Sequence, residues 1–353
     1  MTVYMPILKG RESELVALGN IPDEQRSRVR PILEACPTDN GDPQNRTLSM
    51  EATTFSGRAS ANLPRNRAFA VDCDRLVKRY GRPDSGGAMS VVADAMAREG
   101  FKIIPVFRQT DTPDDIAQVA YVSAQHGGGA CLRLAWTAPR GADRDAKLSR
   151  LLRNDLRLGF AMVDLVIDLW EVISDYDYTA GIRRAQQALA WAMPKPWRSI
   201  TLACAAFPKG LSDLPFDGPA AVPRRDAELW YKVAGSRNGI GYGDCGVANP
   251  RMPPGRTPHP NLRYTSDEDW IIYRCPRGQG SGAYGCFRDL CRAVITSEHW
   301  ATRGSAFSWG DEQIELYANG HAGPRNDPSG WRACGMSHHF ATVLNRLEHL
   351  GRP

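Results

Sequence analysis

Charged residues recur at one kind of place in this sequence, directly after short apolar runs. Lys9 follows Pro6-Ile7-Leu8, Glu34 follows Pro31-Ile32-Leu33, Asp72 and Asp74 follow Phe69-Ala70-Val71, and Arg108 follows Pro105-Val106-Phe107. Arg133 lies inside Cys131-Leu132-Arg133-Leu134, Asp168 follows Leu165-Val166-Ile167, and Asp244 follows Gly241-Tyr242-Gly243. A charge at the end of a buried strand is costly unless it is solvated or paired. One such residue reads as a solvated strand end; the repetition points to a ligand site. In one chemistry, Glu34, Asp72, Asp168 and Asp244 hold a divalent metal ion or act as general bases. Lys9, Arg108 and Arg133 then hold a phosphate or carboxylate. In the other, the two sets neutralise each other as a structural network. The run MVDLVID places Asp164 and Asp168 on one strand face, Asp164 at its start and Asp168 at its end.

Further candidates surround this set. Tyr242 and Asp244 sit in GYGDCG, a glycine-flanked turn suited either to close ligand approach or to a plain tight turn. His338 and His339 follow Ser337, which reads as a helix N-cap. The pair could bind a metal or ligand, or simply open a capped helix. Trp136, Trp170, Trp230, Trp270 and Trp331 could stack bases, but their wide spacing reads as packing. No GxSxG, HExxH or SxxK motif occurs.

Positioning these residues requires a repeating frame. The apolar runs Val3–Leu8, Val29–Leu33, Ala68–Val71, Lys102–Phe107, Ala130–Leu134, Met162–Ile167, Ile200–Ala205 and Gly239–Tyr242 are strand-like. Amphipathic stretches at 88–98, 114–125, 145–158, 179–193 and 224–233 lie between the later runs. Continuous apolar strands joined by helices indicate a parallel sheet buried on both faces. Eight such units close most naturally into an α/β fold of the (β/α)8 TIM-type barrel kind, whose strand ends converge on one rim. An open doubly wound sheet is the rival, but it announces itself with a glycine-rich turn after the first strand, and here that strand ends in Leu8-Lys9-Gly10-Arg11; GxxxxGK[ST] is absent.

Two segments break the rhythm. Residues 36–67, rich in Pro, Asn, Ser, Thr and Gly, read as a long mobile loop or lid after the second strand. After the eighth strand, 261–275 alternates like a hairpin, and helix-like pieces follow at 284–295, 311–317 and 338–350. Residues 1–245 are therefore expected to supply the barrel. Residues 246–353 are expected to form a loop and hairpin over its mouth, with C-terminal helices completing the same domain; a separate C-terminal domain is the alternative.

Composition narrows the setting. The 353 residues are 42% hydrophobic with net charge +5, dispersed rather than clustered. Nucleic-acid binding is not demanded by that charge. No apolar run approaches the roughly 20 residues needed to span a bilayer, and the N-terminal residues show no secretory pattern. Nine scattered cysteines without a CxxC pair read as mostly free thiols in a reducing, cytoplasmic setting, without a structural zinc. Cys286 and Cys291 have helix spacing.

The stretch YMPILKGRESELVAL…VRPILEA resembles the beta protein family of phages and bacteria, as do WRSITLACAAFP, IGYGDCGVANP and GWRACGMSHHFATV. The matching segments span nearly the whole chain, with order and spacing preserved. Cys245 and Met336 depart from the family pattern. The resemblance implies a bacterial or phage setting near phage-defence genes and supplies no catalytic residues. The functional expectation is a barrel binding an anionic or phosphorylated ligand at its rim, as a metal-assisted hydrolase of phosphate esters. The alternative is a non-catalytic sensor or interaction protein of bacterial immunity, with a protein partner, using the same pocket. A nucleic-acid binder is the third reading.

Overall fold

In the computed structural model, which describes residues 3–38, 46–81, 87–136, 142–251, 259–276, 285–324 and 327–353, all eight apolar runs form strands. These are β1 (Ile7–Leu8), β2 (Ile32–Glu34), β3 (Phe69–Asp72), β4 (Ile103–Phe107), β5 (Ala130–Ala135), β6 (Val163–Glu171), β7 (Ser199–Ala205) and, after a short β8 (Ala220–Pro223) in another sheet, β9 (Ile240–Gly243). Each pairs in parallel with the next, from β1 through β7 to β9. β9 then returns to the start of the chain. The Tyr242 N–H donates to the Val3 carbonyl at 2.9 Å, and the N–H groups of Met5 and Ile7 donate to the carbonyls of Tyr242 and Asp244, both at 2.7 Å. The result is an eight-stranded parallel sheet nearly closed into a barrel, compatible with a TIM-type barrel.

Alternation along the strands divides the core. Met5, Ile7, Ile32, Ala70, Val106, Cys131, Val166, Ala203, Ala205 and Cys245 fill the barrel interior. Their neighbours in sequence, such as Leu8, Leu33, Val71, Phe107, Leu132, Ile167 and Leu202, pack outward against helices. β9 carries glycine at its inward positions because it is squeezed there. A methyl group on Gly243 would lie 2.8 Å from Ala203 Cβ and 2.9 Å from the Met5 carbonyl oxygen.

Helices α1 (Glu12–Gly19), α2 (Asp23–Arg26), α3 (Leu48–Asn62), α4 (Asp74–Tyr80), α5 (Ala88–Arg98), α6 (Pro113–His126), α7 (Ala142–Arg150), α8 (Asp175–Ala192) and α9 (Arg225–Ala234) fall between the strands. Their starts follow capping chemistry. Thr112 with Asp115, and Ser174 with Asp177, form capping boxes on α6 and α8, and Pro113 occupies the first turn of α6.

The expected loop over 36–67 is largely a helix. Thr47 accepts from the Met50 N–H at 3.3 Å to start α3, and Leu48, Ala52, Phe55 and Ala59 bury one face. Their spacing is helical, but alanine, serine and threonine around them dilute the apolar signal. Helix α3 packs against α1 and α5, so this part of the segment is core rather than lid. Residues 39–45 of the same segment lie outside those described.

Beyond β9, the expected hairpin is β10 (Asn261–Thr265) and β11 (Asp269–Arg274), antiparallel, with β8 as an unforeseen third strand. Helices α10 (Phe287–Ile295), α11 (Trp309–Ala318) and α12 (Pro328–His349) follow. α12 contacts α1, α11 and β10, joining this region to the barrel. Its true start is Asp327, whose carboxylate accepts from the N–H groups of Ser329 and Gly330, with Pro328 in the first turn. Ser337 is therefore no N-cap; it lies mid-helix and accepts from the Gly310 N–H at 3.2 Å. The cysteines are mostly free thiols, with one disulfide among them. Cys275, at the end of β11, is disulfide-bonded to Cys286, just before α10; the other seven cysteines are free and buried. Among the described residues, no helix is long and apolar enough to cross a membrane.

Candidate functional site

Each strand that places an apolar side chain inside the barrel places its next inward residue at the carboxyl rim. After Ile7 comes Lys9, after Ile32 Glu34, after Ala70 Asp72, after Val106 Arg108, after Cys131 Arg133, and after Val166 Asp168. Asp164, on the same face as Asp168 but at the opposite end of β6, instead binds Arg198 and the Ser199 hydroxyl.

Arg133 is the centre of the rim. Its Nη1 donates to Glu34 Oε1 at 2.6 Å and to Asp72 Oδ2 at 2.9 Å, and its Nε donates to Asp168 Oδ2 at 2.8 Å. All four side chains are buried. Arg108 holds Asp72 with both Nη groups, at 3.0 and 2.6 Å. Arg75 donates to Glu34 Oε2 at 2.7 Å. Burial pushes the Asp72 carboxyl up, but Arg108 and Arg133 outweigh it and hold it well below the usual carboxylate range. Lys9 points its ammonium at the carbonyls of Asn249 and Arg251, tying the chain beyond β9 to the rim. Burial pushes its pKa down.

Above this network lies a cavity of about 580 Å³. Its floor includes Glu34, Arg133 and Asp168, and its walls come from β5, α4 and α7 and the turns around them. Arg75, Lys78, Arg108, Arg133, Arg144 and Lys147 bring positive charge; Glu34, Asp74 and Asp168 bring negative charge. Each of those carboxylates already meets a cation: Glu34 and Asp168 as above, and Asp74 through Lys78 at 2.7 Å. Arg133 Nη2 has no hydrogen-bond partner among the described residues, and neither does the exposed Lys147 ammonium. The basic residues of α4 and α7 were not foreseen. Their signal was the three-residue spacing of Arg75 and Lys78, and of Arg144 and Lys147, on helices that leave the carboxyl ends of β3 and β5.

Trp170 also lines this cavity. Between Asp168 and Glu171, β6 advances three residues while β7 advances two, from Ala203 to Ala205, so β6 carries a bulge. Trp170, inside the bulge, has φ +66°, a conformation costing about 1–3 kcal/mol for a non-glycine residue. Its N–H donates to Asp168 Oδ1 at 2.8 Å. The residue is 40% exposed. Of the five tryptophans considered for base stacking, Trp136, Trp230, Trp270 and Trp331 are buried packing residues, leaving only Trp170 exposed.

Asp244 lies at the carboxyl end of its strand but faces away from this cavity. It follows Gly243, which is inward, so it turns outward. It accepts from the Tyr4 hydroxyl at 2.8 Å and from the Gly246 N–H at 2.9 Å, and meets His339 Nε2 at 2.8 Å. Tyr242 also points outward, stacks on Tyr4, and donates its hydroxyl to Asp226 Oδ2 at 3.0 Å. Burial, opposed by Arg224 and reinforced by Asp244, pushes the Asp226 pKa up to about 6. His338 lies 2.9 Å from Asp311 Oδ2 and 2.8 Å from the Thr265 carbonyl oxygen. The four residues Tyr242, Asp244, His338 and His339 thus form buried ties between β9, α12 and the C-terminal sheet, away from the rim cavity. Burial pushes the His339 pKa down.

The family model described as Beta protein matches residues 4–345. A search of curated proteins returns no match.

Proposed function

We propose that this chain, which belongs to the Beta protein family, is a TIM-type (β/α)8 barrel that binds a small anionic or phosphorylated ligand in the cavity at its carboxyl rim. The observation that carries this reading is the charge arrangement of the cavity. Six basic side chains line the cavity, and the four carboxylates at or beneath it, Glu34, Asp72, Asp74 and Asp168, are already engaged by Arg75, Arg108, Lys78 and Arg133. Positive charge is left over for a ligand, with Lys147 and Arg133 Nη2 the open donors. Carboxyl rims are also where ligand sites of such barrels are built.

Recognition fits this geometry better than metal-assisted phosphate-ester hydrolysis. Glu34, Asp72 and Asp168 are the carboxylates that would hold a divalent metal, but the Arg133 guanidinium occupies the point where they converge. Among the described residues, no group of three or more His, Cys, Asp or Glu side chains is arranged to hold a metal ion. A pocket read by a protein partner, in the phage-defence setting that the family resemblance implies, needs no carboxylate freed from Arg133.

Titration calorimetry with inorganic phosphate and pyrophosphate tests the reading. Wild type should bind, and Lys147→Ala combined with Lys78→Ala should weaken binding by at least about tenfold, with a shallower salt dependence. Equal binding by both proteins, or none by wild type, would refute anion capture at this rim. Manganese-dependent cleavage of a phosphodiester that disappears in Asp168→Asn would refute recognition as its role.

A further inference from the structure

Resting on the anion-binding reading, we propose that the ligand carries a flat ring as well as its anion, making it a nucleoside phosphate whose base stacks on Trp170 while its phosphate meets Lys147 and Lys78. The bulge in β6 inserts an extra residue at the rim, and that residue is the largest of the side-chain types. Its backbone is held in the left-handed region, which favours glycine and is avoided by bulky residues. A glycine there would close the turn without strain. What a tryptophan adds is a ring.

The ring is placed rather than loose. Asp168 takes the Trp170 N–H with one carboxylate oxygen and Arg133 Nε with the other. The rim network therefore fixes the segment that carries the indole. No aromatic or cationic side chain among the described residues packs on that ring, although it lines both the rim cavity and a neighbouring one bounded by Glu171, Arg184 and Lys209. The same cavity is lined by Leu134, Leu148 and Leu151, which suit the edge of a base or sugar, and by Lys78 and Lys147. The volume, about 580 Å³, falls in the range of sites that enclose ligands of this size. A base on an indole face gains affinity whatever its identity, because every base offers a π face. Class recognition, rather than one particular base, is expected.

Calorimetry with adenosine 5′-monophosphate and ribose 5-phosphate isolates the ring. Wild type should bind the nucleotide at least about tenfold more tightly than the sugar phosphate. Trp170→Gly should erase that advantage without lowering the melting temperature, because glycine relieves the φ, and Trp170→Phe should retain most of it. Equal affinity of wild type for the two ligands, or an advantage that survives Trp170→Gly, would overturn the proposal. If neither ligand binds, or if binding of ribose 5-phosphate ignores Lys147→Ala, the anion-binding reading fails; a nucleotide preference lost in Trp170→Gly would still sustain the ring assignment in the second case. A 5′-phosphorylated oligonucleotide separates the two sources of this chemistry. Tighter binding than the mononucleotide assigns a strand end, weaker binding assigns a free nucleotide, and both depend on Trp170.

Discussion

Arg133→Met and Asp168→Asn should destabilise the protein by different amounts, and their combination should reverse a sign. In wild type, Arg133 touches three buried carboxylates. Without it, Glu34 keeps Arg75 and Asp72 keeps Arg108, but Asp168 keeps only the Trp170 N–H. One carboxylate is stranded, and breaking a buried pair in this way costs about 3–5 kcal/mol. Asp168→Asn is milder. Arg133 retains Glu34 and Asp72, and the asparagine oxygen can still accept a hydrogen bond. The loss is the difference between a charge-assisted and a neutral hydrogen bond, roughly 1–2 kcal/mol. In the Arg133→Met background the same Asp168→Asn change removes the stranded charge and should therefore stabilise. Urea unfolding of wild type, both single variants and the double variant measures all four corners, with an unchanged m-value showing that midpoint shifts report stability. If Asp168→Asn destabilises both backgrounds equally, Asp168 and Arg133 are not energetically coupled, and the reasoning about the rim network is refuted.

Two further outcomes follow from other parts of the chain. Asp226, pushed up to about 6 in the folded state against about 3.9 unfolded, makes the folded protein bind more protons between those values. Stability should thus fall as pH rises from about 4 through about 6, and Asp226→Asn should flatten that slope; an unchanged pH profile in Asp226→Asn would refute the assignment. Cys275→Ser opens a crosslink between residues 11 apart, so it should cost about 3 kcal/mol without reductant and nearly nothing with it; equal stability in both conditions would show that the bond contributes little.

The strand runs and most of the rim were legible because strand geometry writes itself into sequence with a period of two. Ile32 and Glu34, Ala70 and Asp72, or Cys131 and Arg133 share a face by that period alone. Asp244 was grouped with them by its place at a strand end, when the inward glycines at 241 and 243 already turned it outward. Helix α3 was hidden because its buried face uses Ala52 and Ala59 beside Leu48 and Phe55, and small residues carry little hydrophobic contrast. The start of α12 was placed at Ser337 although Asp327-Pro328 carries the stronger signal, a side-chain acceptor followed by a residue that needs no N–H. The bulge that exposes Trp170 had no local mark, since an inserted residue shows only when the partner strand fixes the register. The cavity cations Arg75, Lys78, Arg144 and Lys147 come from helices, so no strand-end pattern could collect them.

The central claim is that the rim cavity captures an anion. Diffraction from crystals soaked in tungstate, a heavy analogue of phosphate, tests it directly through the anomalous signal. The account predicts a peak inside the cavity within hydrogen-bond reach of Lys147 and of Arg133 Nη2, lost in Lys147→Ala crystals. Peaks confined to other surfaces, with the rim cavity empty, would contradict it.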